Sequence, residues 1–250
     1  MRIAAWCAAL ALWAWQSHAD TIRVVLEVSP PHQTYDQQQV GGLTTDVVRE
    51  LLSQAKLTGN FEVFPWARAF NIAKTTPNVL IYNIARTPER EHDFVWIGPV
   101  ARYKFGFVKL ARRSDIKLHT VDDAKSFIVG SQRDDFSADW LAARGFVASG
   151  SLQLQPDIVE TWRLLVNGKI DLLIDDPHAV DDMLQRFQLR REDIEFSLFI
   201  PELAQMTWIA LAKDSDPTLV KRLKQAHEKV VQGEAYRRVM AYPDTPLASK

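Results

Sequence analysis

Apolar runs of strand length alternate along this chain with segments whose apolar residues recur at helical spacing, and that alternation leaves few folds open. TIRVVLEVS (21–29) reads as a strand, and GGLTTDVVRELLSQAKL (41–57) places Leu43, Val47, Val48, Leu51, Leu52 and Ala55 on one helical face. FEVFPW (61–66) reads as a second strand closed by Pro65, PWARAFNIAKTTP (65–77) as a short helix, and NVLIYN (78–83) as a buried strand. This order predicts a parallel α/β sheet.

The same unit recurs in different residues. FIVGSQ (127–132) is a strand, SADWLAARG (137–145) a helix with glycine after its end, and PDIVETWRLLVNG (156–168) a better-marked helix. In that last helix Asp157 caps, Glu160 sits three residues on, Ile158, Trp162 and Leu165 share a face, and Gly168 is the stop. The strand IDLLID (170–175) comes at once, MTWIALAK (206–213) is another, and 217–240 make one or two closing helices. Two similar α/β lobes are therefore expected, although no strict sequence repeat marks them.

Composition narrows the function. MRIAAWCAALALWAWQSHA (1–19) has an early arginine, an apolar stretch and a small-residue ending, as a cleaved signal peptide does. The stretch is shorter than the roughly 20 residues of a spanning helix. Cleavage near Asp20 would give a free, exported protein and remove Cys7, the sole cysteine, leaving no disulfide and no thiol chemistry. It would also remove Arg2 and move the formal charge from -1 to -2, which excludes nucleic-acid binding by bulk electrostatics. His32, His92, His119, His178 and His227 show no metal-ligand spacing, and neither a nucleophile–base pair nor a glycine-rich phosphate loop is evident. No cofactor or metal is expected.

In open α/β sheets ligands sit beyond the carboxyl ends of the strands. Past NVLIYN come Arg86 and Arg90; past IDLLI come Asp175 and Asp176. One lobe thus offers cations and the other anions at equivalent places. Thr87-Pro88-Glu89-Arg90 has the look of a helix start, whose free N–H groups would add to an anion site. Asn83, Arg68, and the aromatics Trp66 and Tyr35 are further candidates on polarity and position.

Taken in order, GLTTDVVRELL (42–52), TPER (87–90), GKIDLLIDD (168–176) and DPTLVKRLKQAHEKVVQGEAYRRVM (216–240) resemble the motifs of periplasmic solute-binding proteins of the polar amino acid type, family 3. The resemblance covers nearly all of the chain after the leader. It implies the type 2 fold: two Rossmann-like α/β lobes joined by a two-strand hinge, with lobe 1 from 20–101 and 206–250, lobe 2 from 102–205, and crossings near 100–104 and 203–206. It also implies that Arg90 grips a substrate carboxylate and Asp176 meets an amine.

Several positions depart from the family pattern. SQRDDF (131–136) puts Asp134 and Asp135 where a Gly-Thr pair is usual, with Arg133 beside them to offset the charge. Ala85 replaces a hydroxyl residue, Asn83 brings an amide nearby, and Trp66 and Arg68 stand at the aromatic wall. The implied function is capture of a small polar, amino acid-like solute in the periplasm, by a monomer that delivers it to an ABC-type transporter permease. Two alternatives share the scaffold: a dehydratase-like enzyme with Asp175 or Asp176 as general acid, and a free-standing sensor for a membrane receptor.

Overall fold

The computed structural model describes residues 20–148 and 150–241. The expected signal peptide, 1–19, lies outside them. β1 (Asp20–Leu26) leads through the hairpin of β2 (Thr34–Asp36) and β3 (Gln39–Gly41) into α1 (Leu43–Gln54), β4 (Leu57–Val63), α2 (Trp66–Thr75), β5 (Val79–Ala85) and β6 (Phe94–Tyr103). A second set comes next: β7 (Gly106–Leu110), β8 (Val129–Gln132), α3 (Phe136–Ala143), β9 (Leu152–Gln155), α4 (Ile158–Val166), β10 (Leu172–Asp175), α5 (Val180–Arg186) and β11 (Ile194–Phe199). Then β12 (Gln205–Ala212), α6 (Pro217–Val230) and α7 (Glu234–Ala241) return to the first set.

The strands form two five-stranded sheets, ordered β4-β1-β5-β12-β6 and β11-β7-β10-β8-β9. The chain crosses between them twice, after Tyr103 and after Phe199. Both sheets are mixed, where a parallel sheet is expected from the sequence. β12 runs antiparallel to β5 and β6, and β7 antiparallel to β10 and β11. The crossings are the cause: β7 and β12 each enter their sheet from the inter-lobe side, whereas β1, β5, β8 and β10 run toward it.

Two local expectations are also corrected. β4 begins at Leu57, because it pairs with β1 from Asp20↔Leu57 to Leu26↔Val63, and Trp66 opens α2 instead of ending the strand. Residues 88–93 form turns and no helix. Arg90 N–H donates to Thr87 O at 3.1 Å and Asp93 N–H to Arg90 O at 3.1 Å, while Arg86 closes onto Glu91 across the loop. No helix N-terminus therefore faces a ligand there.

Each sheet is covered on both faces, which is why its inner strands are apolar throughout. Val24, Leu26, Leu80 and Tyr82 pack with α1 and α6, whereas the intervening Val25 and Ile81 pack with Trp66 and Ala69 of α2. In the second lobe Leu172 and Ile174 face Leu141 of α3, and Leu173 faces Trp162 and Leu165 of α4. Asp157 caps α4 as expected, accepting from Glu160 N–H at 2.8 Å.

The Gly-Gly that opens α1 is needed for its conformation. Gly42 sits at φ 104, and a Cβ there would lie 2.5 Å from His32 O, the carbonyl that receives Thr44 N–H and Thr45 N–H. Gly42→Ala is expected to cost ~2 kcal/mol or more, a fall of roughly 4–8 °C in thermal midpoint by differential scanning calorimetry.

Candidate functional site

The carboxyl ends of β1, β5, β8 and β10 converge between the lobes. They enclose a cavity of about 80 Å³ whose wall includes Glu27, Asn83, Tyr103 and Thr207 from the first lobe with Gln132, Asp135 and Asp175 from the second. The aromatic side of that wall is continuous. Tyr103 and Phe105 stack with centroids 5.7 Å apart, and Phe136 meets Phe105 edge-on at 5.4 Å.

Direct bonds cross from lobe to lobe. Gln132 Nε2 donates to Glu27 Oε2 at 2.7 Å. Arg90 Nη2 and Trp66 Nε1 both donate to the Asp134 carbonyl, at 2.7 and 3.0 Å. Asp134 adopts φ 60, the left-handed region that Asp tolerates better than most residues, on the turn that presents this carbonyl. The α3 N-cap Asp135 turns its own carboxylate onto Ser137 N–H at 2.7 Å.

The enclosed acids are perturbed in one direction. Burial pushes the Glu27 carboxyl up to about 8, with Asp135, Asp157 and Asp175 adding repulsion and the Gln132 bond opposing it. Burial raises Asp175 to about 7, against donors from Trp162 Nε1 at 2.7 Å and Asp176 N–H at 2.8 Å. Asp135 is raised as well, again through burial. Arg90, 4% exposed, is shifted down by desolvation while Asp135 and Asp139 hold its charge.

The sequence candidates separate into groups. Trp66 and Arg90 meet at the cross-lobe contact, with the Arg90 guanidinium 4.8 Å from the Phe70 ring centroid. Asn83 stands on the cavity wall at φ 60, its Oδ1 accepting from Thr207 Oγ1 at 3.2 Å and its buried Nδ2 without a partner. Asp176 is buried beside the cavity. Its carboxylate accepts Lys104 N–H at 2.7 Å and His178 N–H at 2.8 Å, so it anchors the first crossing. Tyr35, half exposed, lines a wider opening of about 410 Å³ together with Glu27, Phe64, Asp157 and Arg186. Arg68 is exposed over the Phe64 ring at 4.5 Å, and Arg133 is exposed.

Sequence reasoning missed most of the wall, Glu27, Gln132, Tyr103, Phe105, Phe136 and Thr207 among it; for Glu27 and Gln132 a signal existed. The available signal was a lone acid at the end of the apolar run RVVLEV and an amide at the end of IVGSQ, each at the carboxyl end of a strand. The Asp134 turn is testable by itself. Asp134→Gly keeps its backbone conformation at no steric cost, whereas Asp134→Val is expected to lose ~1–2 kcal/mol, or roughly 2–8 °C of thermal midpoint.

Solved structures show what this arrangement is similar to. A histidine kinase sensor domain with similarity to periplasmic binding proteins superposes with a TM-score of 0.76 at 19% identity, over 88% of this chain and 93% of that one. An ancestral arginine-binding protein bound to arginine gives a TM-score of 0.75 at 16% identity, over 89% and 97%. An amino acid ABC transporter substrate-binding protein from Streptococcus pneumoniae, bound to L-arginine, gives 0.73 at 14% identity, over 89% and 94%. No protein-family model matches the sequence, and comparison with curated proteins finds no match. The chain has the two-lobed α/β fold of periplasmic binding proteins.

Proposed function

We propose that this protein is a periplasmic solute-binding protein that closes its two lobes over a small polar solute and presents it to a membrane transporter. The observation that carries the reading is the cavity at the strand ends, walled by polar side chains of both lobes and bridged by Gln132–Glu27 and Arg90–Asp134. A ligand there contacts both lobes only when they are closed, so its binding energy favours closure. The solved amino acid-binding proteins of the same fold support this use of the cleft.

The raised acids favour a second reading, catalysis, specifically enough to be tested with the first. A carboxyl held near neutrality, as Asp175 is, suits general acid work. The binding reading expects at least one compound in a screen of amino acids, amines, sugars and dicarboxylates to raise the thermal midpoint, and chromatography to recover it unchanged. A flat screen overturns the binding reading. Turnover of the bound compound replaces it with the enzyme.

A further inference from the structure

We infer that the solute held in this cleft is a small organic cation without a carboxylate, its ammonium seated among Glu27, Asp135 and Asp175. The inference rests on the solute-binding reading and narrows it to a charge class.

Two independent features of the wall point to it. The first is charge: the cavity is lined by carboxyl groups from both lobes and, among its described lining residues, by no lysine, arginine or histidine. A ligand carboxylate placed there would face three acids with no cation to meet it. Arg90, the residue that would answer such a group, instead donates to the Asp134 carbonyl and is not part of the wall. The second is the aromatic side formed by Tyr103, Phe105 and Phe136, whose ring faces attract a desolvated cation.

Size gives the shape of the compound. At about 80 Å³ the cavity is small against the 410 Å³ opening, and a compact head group suits it. Glu27 is also on the wall of the 410 Å³ opening, which Asp157, Glu160, Arg163 and Arg186 line as well, so its carboxylate borders both spaces. A short-chain amine or diamine presents a head group of the charge that the smaller space calls for. Glu27 and Asp175 are held up to about 8 and about 7 in the empty site, so an incoming cation takes the place of protons. Affinity should therefore rise with pH between about 6 and 8.5.

Isothermal titration of the full exported protein with pairs that differ by one carboxylate tests this: putrescine against L-ornithine, and agmatine against L-arginine, with succinate as the anion. The expected result is that at least one amine binds about tenfold or more tighter than its amino acid, that its affinity rises about tenfold from pH 6 to 8, and that succinate does not bind. Glu27→Gln and, independently, Asp175→Asn should each weaken that amine by about tenfold and flatten its pH profile. Equal or tighter binding of the amino acids, or of any anionic or neutral compound from the wider screen, overturns the cation assignment but leaves the solute-binding reading standing. Amine binding that both variants and pH leave unchanged also overturns it. Absence of binding by every compound in the wider screen ends both.

Discussion

The unliganded protein is expected to melt roughly 5–10 °C lower at pH 8.5 than at about pH 6, and Glu27→Gln is expected to remove most of that difference. Glu27 is raised from 4.5 to about 8 and Asp175 from 3.8 to about 7, in both cases chiefly by burial. A carboxyl whose folded value lies above its unfolded one favours the folded state most below the unfolded value. That contribution is lost as pH climbs toward and through the folded value. Each unit of displacement corresponds to ~1.4 kcal/mol. Over this pH interval the two groups together lose ~2–3 kcal/mol, after allowance for a cleft that keeps some contact with water. His32 acts in the opposite sense. Burial holds it down to about 4, so its contribution is lost as pH falls from 6.5 toward 4. Below pH 6.5 it offsets about half of what the two acids gain toward acid, so the midpoint keeps rising below pH 6, to about pH 5. Calorimetry from pH 5 to 9 on the wild type, Glu27→Gln and Asp175→Asn decides the matter. A wild-type midpoint that is flat or rises above pH 6 would mean that Glu27 is not desolvated between the lobes.

Much of the architecture is legible because burial writes itself into periodicity. Val47, Val48, Leu51 and Leu52 recur at helical spacing because one face of α1 packs on a sheet, and 78–83 and 170–175 lack polar alternation because their sheets are covered twice. The position of the cleft comes from where those strands end. The part that is not legible depends on distances between segments far apart in sequence. Arg90 looks like a free cation in TPER, yet its partner is a backbone carbonyl at residue 134, and no side-chain identity at 134 announces that. Asp175 and Asp176 are neighbours with equal chemistry, but strand alternation sends them to different surroundings. Asp175 reaches the cavity wall, whereas Asp176 holds the amides of Lys104 and His178. Thr-Pro-Glu at 87–89 suits a turn as well as a helix start, and the length of chain left before the next strand decides between them. Here β6 begins at Phe94, and the six residues before it close as hydrogen-bonded turns.

Arg90→Ala is expected to open the unliganded protein as well as weaken it for ligand. The guanidinium donates to Asp134 O across the lobes at 2.7 Å, and a charge-assisted bond of this kind is worth ~1.5–3 kcal/mol, so the ratio of closed to open forms should fall roughly tenfold to a hundredfold. Trp66 Nε1 shares that carbonyl at 3.0 Å as a neutral donor, so Trp66→Phe should shift the same equilibrium less, by ~0.5–1.5 kcal/mol. The first lobe should still fold, since Arg90 lies in the loop between β5 and β6 and outside the clusters that cover the sheet. Small-angle scattering of the empty protein reads the opening as a larger radius of gyration. The family resemblance of TPER implies instead that Arg90 grips a carboxylate on the ligand. Both roles lower affinity, but they differ in two measurable ways. A clasp between lobes shifts the empty protein and weakens all ligands by one common factor, because each must then supply the lost closing energy. A carboxylate grip leaves the empty protein unchanged and weakens only ligands that carry the carboxylate. Scattering of empty Arg90→Ala that matches the wild type, together with selective loss of carboxylate ligands, would assign Arg90 to the solute; an expanded empty form with a uniform loss of affinity assigns it to closure.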